Sequence, residues 1–541
     1  MGTDIHSLLA ATPALAGLAR VRGDVGVPIG SIAYDSRAVE PAALFVALRG
    51  TVTDGHRFLP EALDRGAVAA LTETPADDPR LRCNVVVPDT RAALAQLAAT
   101  FYRHPSRELG LVGVTGTKGK TTTSFMIEAL LAEAGRRTGL ISTVDLKVDA
   151  ERWRNPIHQT TPESLDVQRY LREMVDSGVE WATLETSSHA LALHRVDGCA
   201  YDVAVLTNIT HEHLEFHGSY ANYYAAKAQL LEHLAVAPAK DPPRPRWAVI
   251  NRDDPGAASL LGRAAGVPQL TYGLSAGCDV RAEDLEAVNI ASIGRDAGAG
   301  VVPVGRGSTF RIRSPWGAFP VRLQLPGRFN VYNALAAATV ALALDVPPDA
   351  VAAGLARFGG VPGRLQRIEQ GQPFLVVVDY AHNPDSLAQV LRLLRQLISG
   401  RLIAVFGSAG ERDVAKRTMM GRVCAELADF AIFTDEDPRR EDPAAIVAQI
   451  AAGAAAHGWV EGRHYERITD RREAITRACA LARPGDGILL AGKGHEDAIA
   501  YAEGTIPWNE AEEARAVLAR LGWTPRLDGR RVPSGRGARS E

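Results

Sequence analysis

Short apolar runs alternate with helix-period segments along almost the whole chain. The runs ALFVAL (Ala43–Leu48) and AVAALT (Ala67–Thr72) read as strands, and TRAALAQLAATFYRHP (Thr90–Pro105) reads as a helix, which together predict a small α/β unit. HPSRELG interrupts the pattern. LGLVGV (Leu109–Val114) then opens a new strand–loop–helix unit whose helix, TTTSFMIEALLAEAG, ends at the capping glycine Gly135. Strands are predicted at TGLIST (Thr138–Thr143), WATLET (Trp181–Thr186), VAVLTNI (Val203–Ile209) and RWAVIN (Arg246–Asn251), with helical patterns between most of them, which indicates a mainly parallel sheet. VAPAKDPPRP (Val236–Pro245) is too rich in proline for an element and reads as an exposed loop.

The stretch Ser275–Arg322 is richer in glycine and alternates weakly, so an antiparallel appendage is expected there. A third β/α series runs through FLVVVDYA (Phe374–Ala381), RLIAVFGSAG (Arg401–Gly410), DFAIFTDED (Asp429–Asp437) and DGILLAGKG (Asp486–Gly494). Each run ends in small or polar residues, where open α/β sheets place their ligands. The final stretch, Thr524–Glu541, is dominated by Gly, Pro and Arg and is expected to be disordered. The expected fold is therefore α/β in three domains over residues 1–106, 107–361 and 362–524, followed by a tail over 525–541.

At 541 residues the chain is too long for one ordinary core, which agrees with that division. Its 60 basic and 63 acidic side chains nearly cancel, so no global field points to nucleic acid or a membrane surface. Cys83, Cys199, Cys278, Cys424 and Cys479 are scattered without a C-x-x-C pair, which argues against a disulfide framework or a thiolate metal site and fits a reducing cytoplasm. No apolar run of about 18 residues survives without a charge, and the N-terminal segment lacks a signal pattern. Neither secretion nor a membrane span is expected.

GVTGTKGKTTT (Gly113–Thr123) sits between the predicted strand and helix. It departs from the G-x-x-x-x-G-K-[ST] phosphate loop, which requires glycine where Val114 stands. Gly116 and Gly119 still permit tight turns that aim amide groups at phosphate oxygens, and the helix starting at Lys120 offers its positive end to the same charge. Lys120 then suits the β- and γ-phosphates, and the hydroxyl of Thr121 suits a magnesium ion. The bland alternative is a glycine-rich turn with an incidental lysine. Two further turns carry metal-ligand chemistry: LETSSHALALHRV (Leu184–Val196), with Glu185 at a strand end, and TNITHEHLEFHG (Thr207–Gly218). HEHLEFH alone admits zinc, but it lacks the H-E-x-x-H spacing, and beside a phosphate loop it suits magnesium and phosphate better.

Together with YYAAKAQLL, LPGRFNVYNALAA, GVPGRLQRI, VDYAHNPDSL, FGSAGERDVAKR and GKGHED, these segments stand in the order found in the Mur ligases of peptidoglycan synthesis. The chain resembles that family from about Ile32 to Leu518 and is most similar to its MurE type. The family's loop has its glycines in this off-register pattern.

The resemblance implies a ligase that uses ATP to activate the D-Glu γ-carboxylate of UDP-N-acetylmuramoyl-L-Ala-D-Glu as an acyl phosphate, which the amine of a diamino acid then attacks. It implies ATP contacts at Gly116, Thr117, Lys118, Gly119, Lys120, Thr121 and Thr122, with Asn333 at adenine and Arg364 and Asp379 contributed by the third domain, near His382. Lys118 replaces a frequent asparagine. Thr121, Glu185 and His213 are implied as Mg²⁺ ligands, and Lys227 as a carbamylated lysine that becomes a further anionic ligand; Lys120, Lys227, Glu185 and His213 form the catalytic set. On composition alone, Lys227 reads as a lysine on a solvated helix face. For the UDP-sugar dipeptide, the resemblance implies Ser36 of YDSR, Gln159, Thr160 and Thr161 of HQTTPE, Ser187 and Arg195. Gln159 stands where asparagine is common, and Leu193 where some members have glutamine. Exclusion of water by domain closure, a cytoplasmic location and a monomer are also implied.

The third domain is expected to select the amino acid. Arg412 resembles a clamp for the α-carboxylate, and Gly492 and Glu496 match contacts to the far end of diaminopimelate. Members that take that acid usually carry D-N-P-R; this chain has Glu436, Asp437, Pro438 and Arg439. Arg439 favours a second carboxylate and Asp437 repels one. If those two side chains paired with each other, the pocket would suit lysine or ornithine, so the diamino acid stays open, with meso-diaminopimelate slightly ahead. Two rival readings are a folylpolyglutamate synthase-like ligase, which lacks this kind of first domain and the TTPE and GKGHE segments, and a non-catalytic Mur-fold binding protein, against which Lys120, Glu185, His213 and Lys227 together argue.

Overall fold

The computed structural model describes residues 3–50, 53–157, 159–210, 212, 214–289 and 306–524. The chain packs as two compact units: the first runs to Asp284 and adds Arg311–Val321 and Phe329–Leu355, and the second consists chiefly of the chain from Ala356 onward.

The first unit begins with a sheet ordered Arg20–Gly23, Cys83–Val86, Ala67–Thr72, Ala43–Val46, Ser31–Ala33, parallel except at its Arg20–Gly23 edge. The helix Thr90–Phe101 covers it with Ala93, Leu94, Leu97 and Ala98. The central sheet is built around Gly110–Thr115, flanked on both sides by parallel strands, Trp181–Glu185 and Val203–Leu206. Thr138–Ile141 continues it on one side, and Trp247–Asn251 and Gln269–Gly273 on the other, all parallel. These strands are buried on both faces, which is why they read as unbroken apolar runs. Leu111, Leu184, Leu206 and Ile250 are fully buried at their centre, each contributing about 1.5–3 kcal/mol relative to exposure.

Register decides where the chemistry lies. Glu185 pairs with Val114 and Leu206 with Thr115. The carboxyl ends of three adjacent strands therefore coincide, and the phosphate loop, the ETSS turn and the TNIT turn all emerge at one edge. The segment expected as an appendage instead joins the central sheet: Val280–Asn289, Arg306–Ser314 and Gly317–Leu323 follow Gln269–Gly273 in its strand order.

The second unit carries a sheet ordered Gln366–Ile368, Leu375–Asp379, Gly487–Ala491, Leu402–Phe406, Phe430–Phe433, Tyr465–Arg467, parallel except at the Gln366–Ile368 edge. Gly487–Ala491 lies between Leu375–Asp379 and Leu402–Phe406, so the turns YAHN, GKGHE, GSAG and TDEDPR follow four neighbouring strand ends. Separate apolar clusters fill the two faces. All five cysteines are buried as free thiols. Among the described residues no helix is long and apolar enough to cross a membrane. The predicted tail, 525–541, lies outside the described residues.

Candidate active site

In the first unit the loop after Gly110–Thr115 is held by the neighbouring TNIT turn. Thr117 N–H donates to the Asn208 carbonyl at 2.7 Å, Lys118 N–H donates to Asn208 Oδ1 at 2.9 Å, and Thr207 Oγ1 donates to the Lys118 carbonyl at 2.7 Å. Two of its glycines are required by geometry. At Gly116 (φ +152°) a β-carbon would fall 1.8 Å from Thr207 Oγ1, and at Gly119 (φ +85°) 2.5 Å from Asn333 Oδ1. Asn333, on the helix Arg328–Ala343, thus packs directly against the turn that starts the helix Lys120–Glu133, and also accepts from Thr123 Oγ1 at 3.3 Å.

Lys120 Nζ donates to the carbonyls of Gly116 and Thr117 at 3.0 Å each, and Lys227 Nζ donates to the same Gly116 carbonyl at 2.7 Å. Lys227 is 1% exposed, so the reading as a solvated lysine is wrong: its helix, Tyr220–Val236, turns it inward over the Tyr223 ring. Burial, followed by the neighbouring Lys120 charge, pushes its ammonium well below the ordinary lysine range. A neutral amine is thereby favoured at this position. Glu185 is also buried, and its carboxylate accepts from Thr121 Oγ1 and from Thr143 N and Oγ1, each at 2.9 Å. A carboxylate ringed by hydroxyl oxygens fits a hard cation such as magnesium, whereas Lys227 fits one only after conversion to an anion. His213 and His211 lie outside the described residues. Among the described residues no three His, Cys, Asp or Glu side chains are grouped to hold a metal.

Next to this edge, Thr161 Oγ1 donates to the Glu185 carbonyl at 2.8 Å and accepts from Ser187 N–H at 3.0 Å, and Ser187 caps the helix Ser188–Ala192. Arg195 donates to the Thr161 carbonyl at 3.0 Å and pairs with Glu163 at 2.9 Å, and Glu163 also pairs with Arg91 at 3.1 Å. The Arg195 Nε–H is buried without a partner. Thr160 is half-buried and Gln159 exposed beside this cluster. Thr122 is half-buried on the first turn of the loop helix. Ser36 is not part of this group; its hydroxyl donates to Glu61 at 2.9 Å in the turn after Ser31–Ala33.

In the second unit Asp379 ends its strand, accepting from Leu365 and Ala381 N–H at 2.8 Å each; burial raises its carboxyl despite nearby Arg364. The Arg364 guanidinium lies 4.5 Å from the centre of the Tyr380 ring. His382 is held neutral, since burial lowers it to about 4. Tyr380 also donates to Glu496 Oε1 at 3.3 Å, so it touches both Arg364 and the GKGHE turn.

The EDPR turn does not close on itself. Asp437 Oδ1 accepts from Lys493 Nζ at 2.9 Å and from Ala500 N–H at 3.0 Å, and Lys493 pairs with Glu496 at 2.6 Å. The pairing of Asp437 with Arg439 admitted by the sequence is absent; Arg439 makes no ion pair among the described residues. Its backbone is left-handed (φ +55°), fixed by donation of its N–H to the Ala500 carbonyl at 2.8 Å. Gly410 N–H donates to the Asp437 carbonyl at 2.8 Å, which seats the GSAGER loop on this turn, with Arg412 exposed beyond it. Pro438 is buried within the turn. Glu436 is buried with Oε2 unpartnered, next to Gly492, and burial raises its carboxyl even with Lys416 and Lys493 nearby. Buried Arg471 ties the strand ends together, donating to the carbonyls of Asp435 and Ala491 at 2.7 Å each while paired with Glu510 at 2.7 Å.

Sequence reasoning passed over Asn208, Thr143, Glu163, Tyr380 and Lys493 as site residues. Asn208, Glu163, Tyr380 and Lys493 lie inside segments it singled out; the contacts of Asn208 and Thr143 with neighbouring strand ends are what spacing does not reveal.

Three family models match the chain: "Mur ligase family, catalytic domain" over residues 28–102, "Mur ligase middle domain" over 114–341 and "Mur ligase, glutamate ligase domain" over 363–494. The chain is 49% identical to a UDP-N-acetylmuramyl-tripeptide synthetase of Roseiflexus sp. (strain RS-1), over 92% of this chain and 96% of that protein. It is 42% identical to a UDP-N-acetylmuramoyl-L-alanyl-D-glutamate--2,6-diaminopimelate ligase of Geobacillus kaustophilus (strain HTA426), over 91% and 95%. Among solved structures, one of a UDP-N-acetylmuramoyl-L-alanyl-D-glutamate--2,6-diaminopimelate ligase matches with a TM-score of 0.63 at 30% identity, covering 97% of this chain and 100% of that one.

Proposed function

The chain belongs to the Mur ligase family and is an ATP-dependent ligase, and on that premise we propose that it joins meso-diaminopimelate to the D-Glu γ-carboxylate of UDP-N-acetylmuramoyl-L-Ala-D-Glu. The observation that carries the choice of amino acid is the charge arrangement around EDPR. Asp437 is held by Lys493, Arg439 and Arg412 make no ion pair among the described residues, and Glu436 keeps a buried carboxylate oxygen without a partner. Two unpaired guanidinium groups suit two carboxylates, and the buried oxygen suits an ammonium. Lysine and ornithine offer only one carboxylate.

The reaction needs a polyphosphate and a carboxylate brought together, then water kept from the activated acyl group. Gly116–Thr122 cradle the phosphates, and Lys120 turns from its loop carbonyls to phosphate oxygens. Phosphoryl transfer forms a carboxylate O–P bond and breaks the Pγ–O bond to ADP. The amine nitrogen then bonds to the acyl carbon as phosphate leaves, and the ammonium gives up its protons. Arg195, held by Glu163, serves the peptide carboxylates, with Thr161 and Ser187 beside it. Thr121, Glu185 and Lys227 as its carbamate would hold magnesium, which when bound neutralises charge between the two anions. The depressed basicity of Lys227 supports the carbamate, because only a neutral amine adds CO₂.

Phosphate release by the purified protein tests this reading. It should require ATP, UDP-N-acetylmuramoyl-dipeptide and a diamino acid together, with diaminopimelate outcompeting lysine and ornithine. Absence of release with every acceptor tried would sink the ligase assignment; preference for lysine or ornithine would sink the choice of acid alone.

A further inference from the structure

Lys493 is 1% exposed, lies in the turn after Gly487–Ala491, and is shared by two carboxylates, Asp437 at 2.9 Å and Glu496 at 2.6 Å. Asp437 belongs to the turn after a different strand, Phe430–Phe433. Two residues further on, Arg439 is locked by its left-handed backbone and its bond to Ala500, so its guanidinium is offered from a fixed base. Asp437 and Glu441 are the acids nearest to Arg439 in sequence; Lys493 holds the first, and Arg417 pairs with the second at 2.8 Å.

We propose that Lys493 is a positioning residue for amino-acid selectivity: by holding the charge of Asp437 it leaves Arg439 to receive the distal carboxylate of the incoming diamino acid. The proposal rests on the ligase reading above and deepens it. It also accounts for how an acid stands where an amide is usual without inverting the pocket, since a half-buried acid held by a buried cation presents less charge to the substrate. Removing Lys493 frees Asp437 either to repel a carboxylate or to capture Arg439, and both effects favour an amino acid with a single carboxylate.

The test is the ratio of kcat/KM for diaminopimelate to that for lysine, measured on the full chain for wild type, Lys493→Met, Asp437→Asn and the double variant. The Asp437–Lys493–Glu496 cluster carries one net negative charge; Lys493→Met makes it two, and the double variant restores one. Lys493→Met should lower the ratio at least about tenfold, the scale of one unscreened charge at several ångströms, mainly through KM for diaminopimelate. The double variant should return to within about threefold of wild type. A folded Lys493→Met that keeps the wild-type ratio, or a double variant that stays as low as the single one, overturns the proposal. Should Lys493→Met not fold, the double variant decides: a wild-type ratio supports the proposal and a collapsed one overturns it. A wild type that prefers lysine refutes the diaminopimelate reading instead, and the direction of the changes among variants still tests the role of Lys493.

Discussion

The two strand-end sites of this chain are built with opposite charge. In the first unit, two lysines converge on the Gly116 carbonyl, and the neighbouring carboxylate Glu185 is engaged by hydroxyls and an amide. In the second, Asp435, Glu436, Asp437 and Glu496 gather at neighbouring strand ends, and two of them keep a buried oxygen without a partner. Each arrangement is costly when empty, because burial disfavours the charged forms: it lowers the Lys227 ammonium in the first site and raises the Asp435, Glu436 and Glu496 carboxyls in the second. In the proposed function each would be relieved by a ligand of the opposite sign, a polyphosphate for the first and ammonium groups for the second. On that proposal the same topological device, a polar turn at the end of a buried parallel strand, would serve two substrates, and the side chains that follow decide which.

Removing the buried lysine of the first site should have the largest effect. Lys227→Ala is expected to cut turnover at least about a thousandfold in the phosphate-release assay, on the scale of losing a principal charge-stabilising group. If the carbamate carries the role, acetate or formate should restore part of the activity by supplying an anion in the space left behind. Full activity in the unrescued variant would refute the carbamate.

On the anionic side, Glu436→Gln should raise KM for the diamino acid about 10- to 100-fold and leave KM for ATP unchanged, as expected for losing one charge-assisted bond to an ammonium. Equal rises in both constants would mean that the two sites are not separately built. Tyr380 sharpens this further, since it touches Arg364 with its ring and Glu496 with its hydroxyl. Tyr380→Phe should raise KM for the amino acid about 3-fold, the low end for one hydrogen bond, as suits its 3.3 Å length, while Tyr380→Leu should also raise KM for ATP. Identical effects of the two substitutions would sever the proposed division of labour.

The two sites were unequally legible in the sequence. The phosphate loop could be read because its requirements are local: Gly116, Gly119, Lys120 and Thr121 lie within six residues between a strand and a helix, and the structure explains each glycine by a side chain that occupies the space of a β-carbon. The parallel sheets could be read for the same reason, from apolar runs with small or polar ends. The burial of Lys227 could not, because a helix buried on several sides has no clean polar face to betray an inward lysine. Nor could the partner of Asp437. Sequence proximity favoured Arg439, whereas the choice is made by the placing of Gly487–Ala491 between two other strands, which brings Lys493 to the turn from 56 residues away. The strand order, not the motif, sets the charge of that pocket.

The smallest expected effect separates stability from function in the anionic site. Asp435 accepts from Tyr501 at 3.1 Å through one oxygen while the other is buried without a partner, and burial lifts its carboxyl from 3.8 to about 6, with Tyr501 and Arg471 opposing and Asp470 and Asp442 adding to the rise. A raised carboxyl means that between about pH 4 and pH 6 the folded chain binds more protons than the unfolded one. Stability therefore falls as pH rises through this window and is flat above it, with a loss of up to about 3 kcal/mol from this group. Asp435→Asn removes the ionisation, so the variant should melt a few degrees higher than wild type at pH 7.5 and match it near pH 4. Diaminopimelate should narrow the gap at pH 7.5, because a bound ammonium favours the ionised form that the variant lacks. A melting difference that is the same at both pH values would place the effect in packing and leave the anionic character of this site to Glu436 and Glu496.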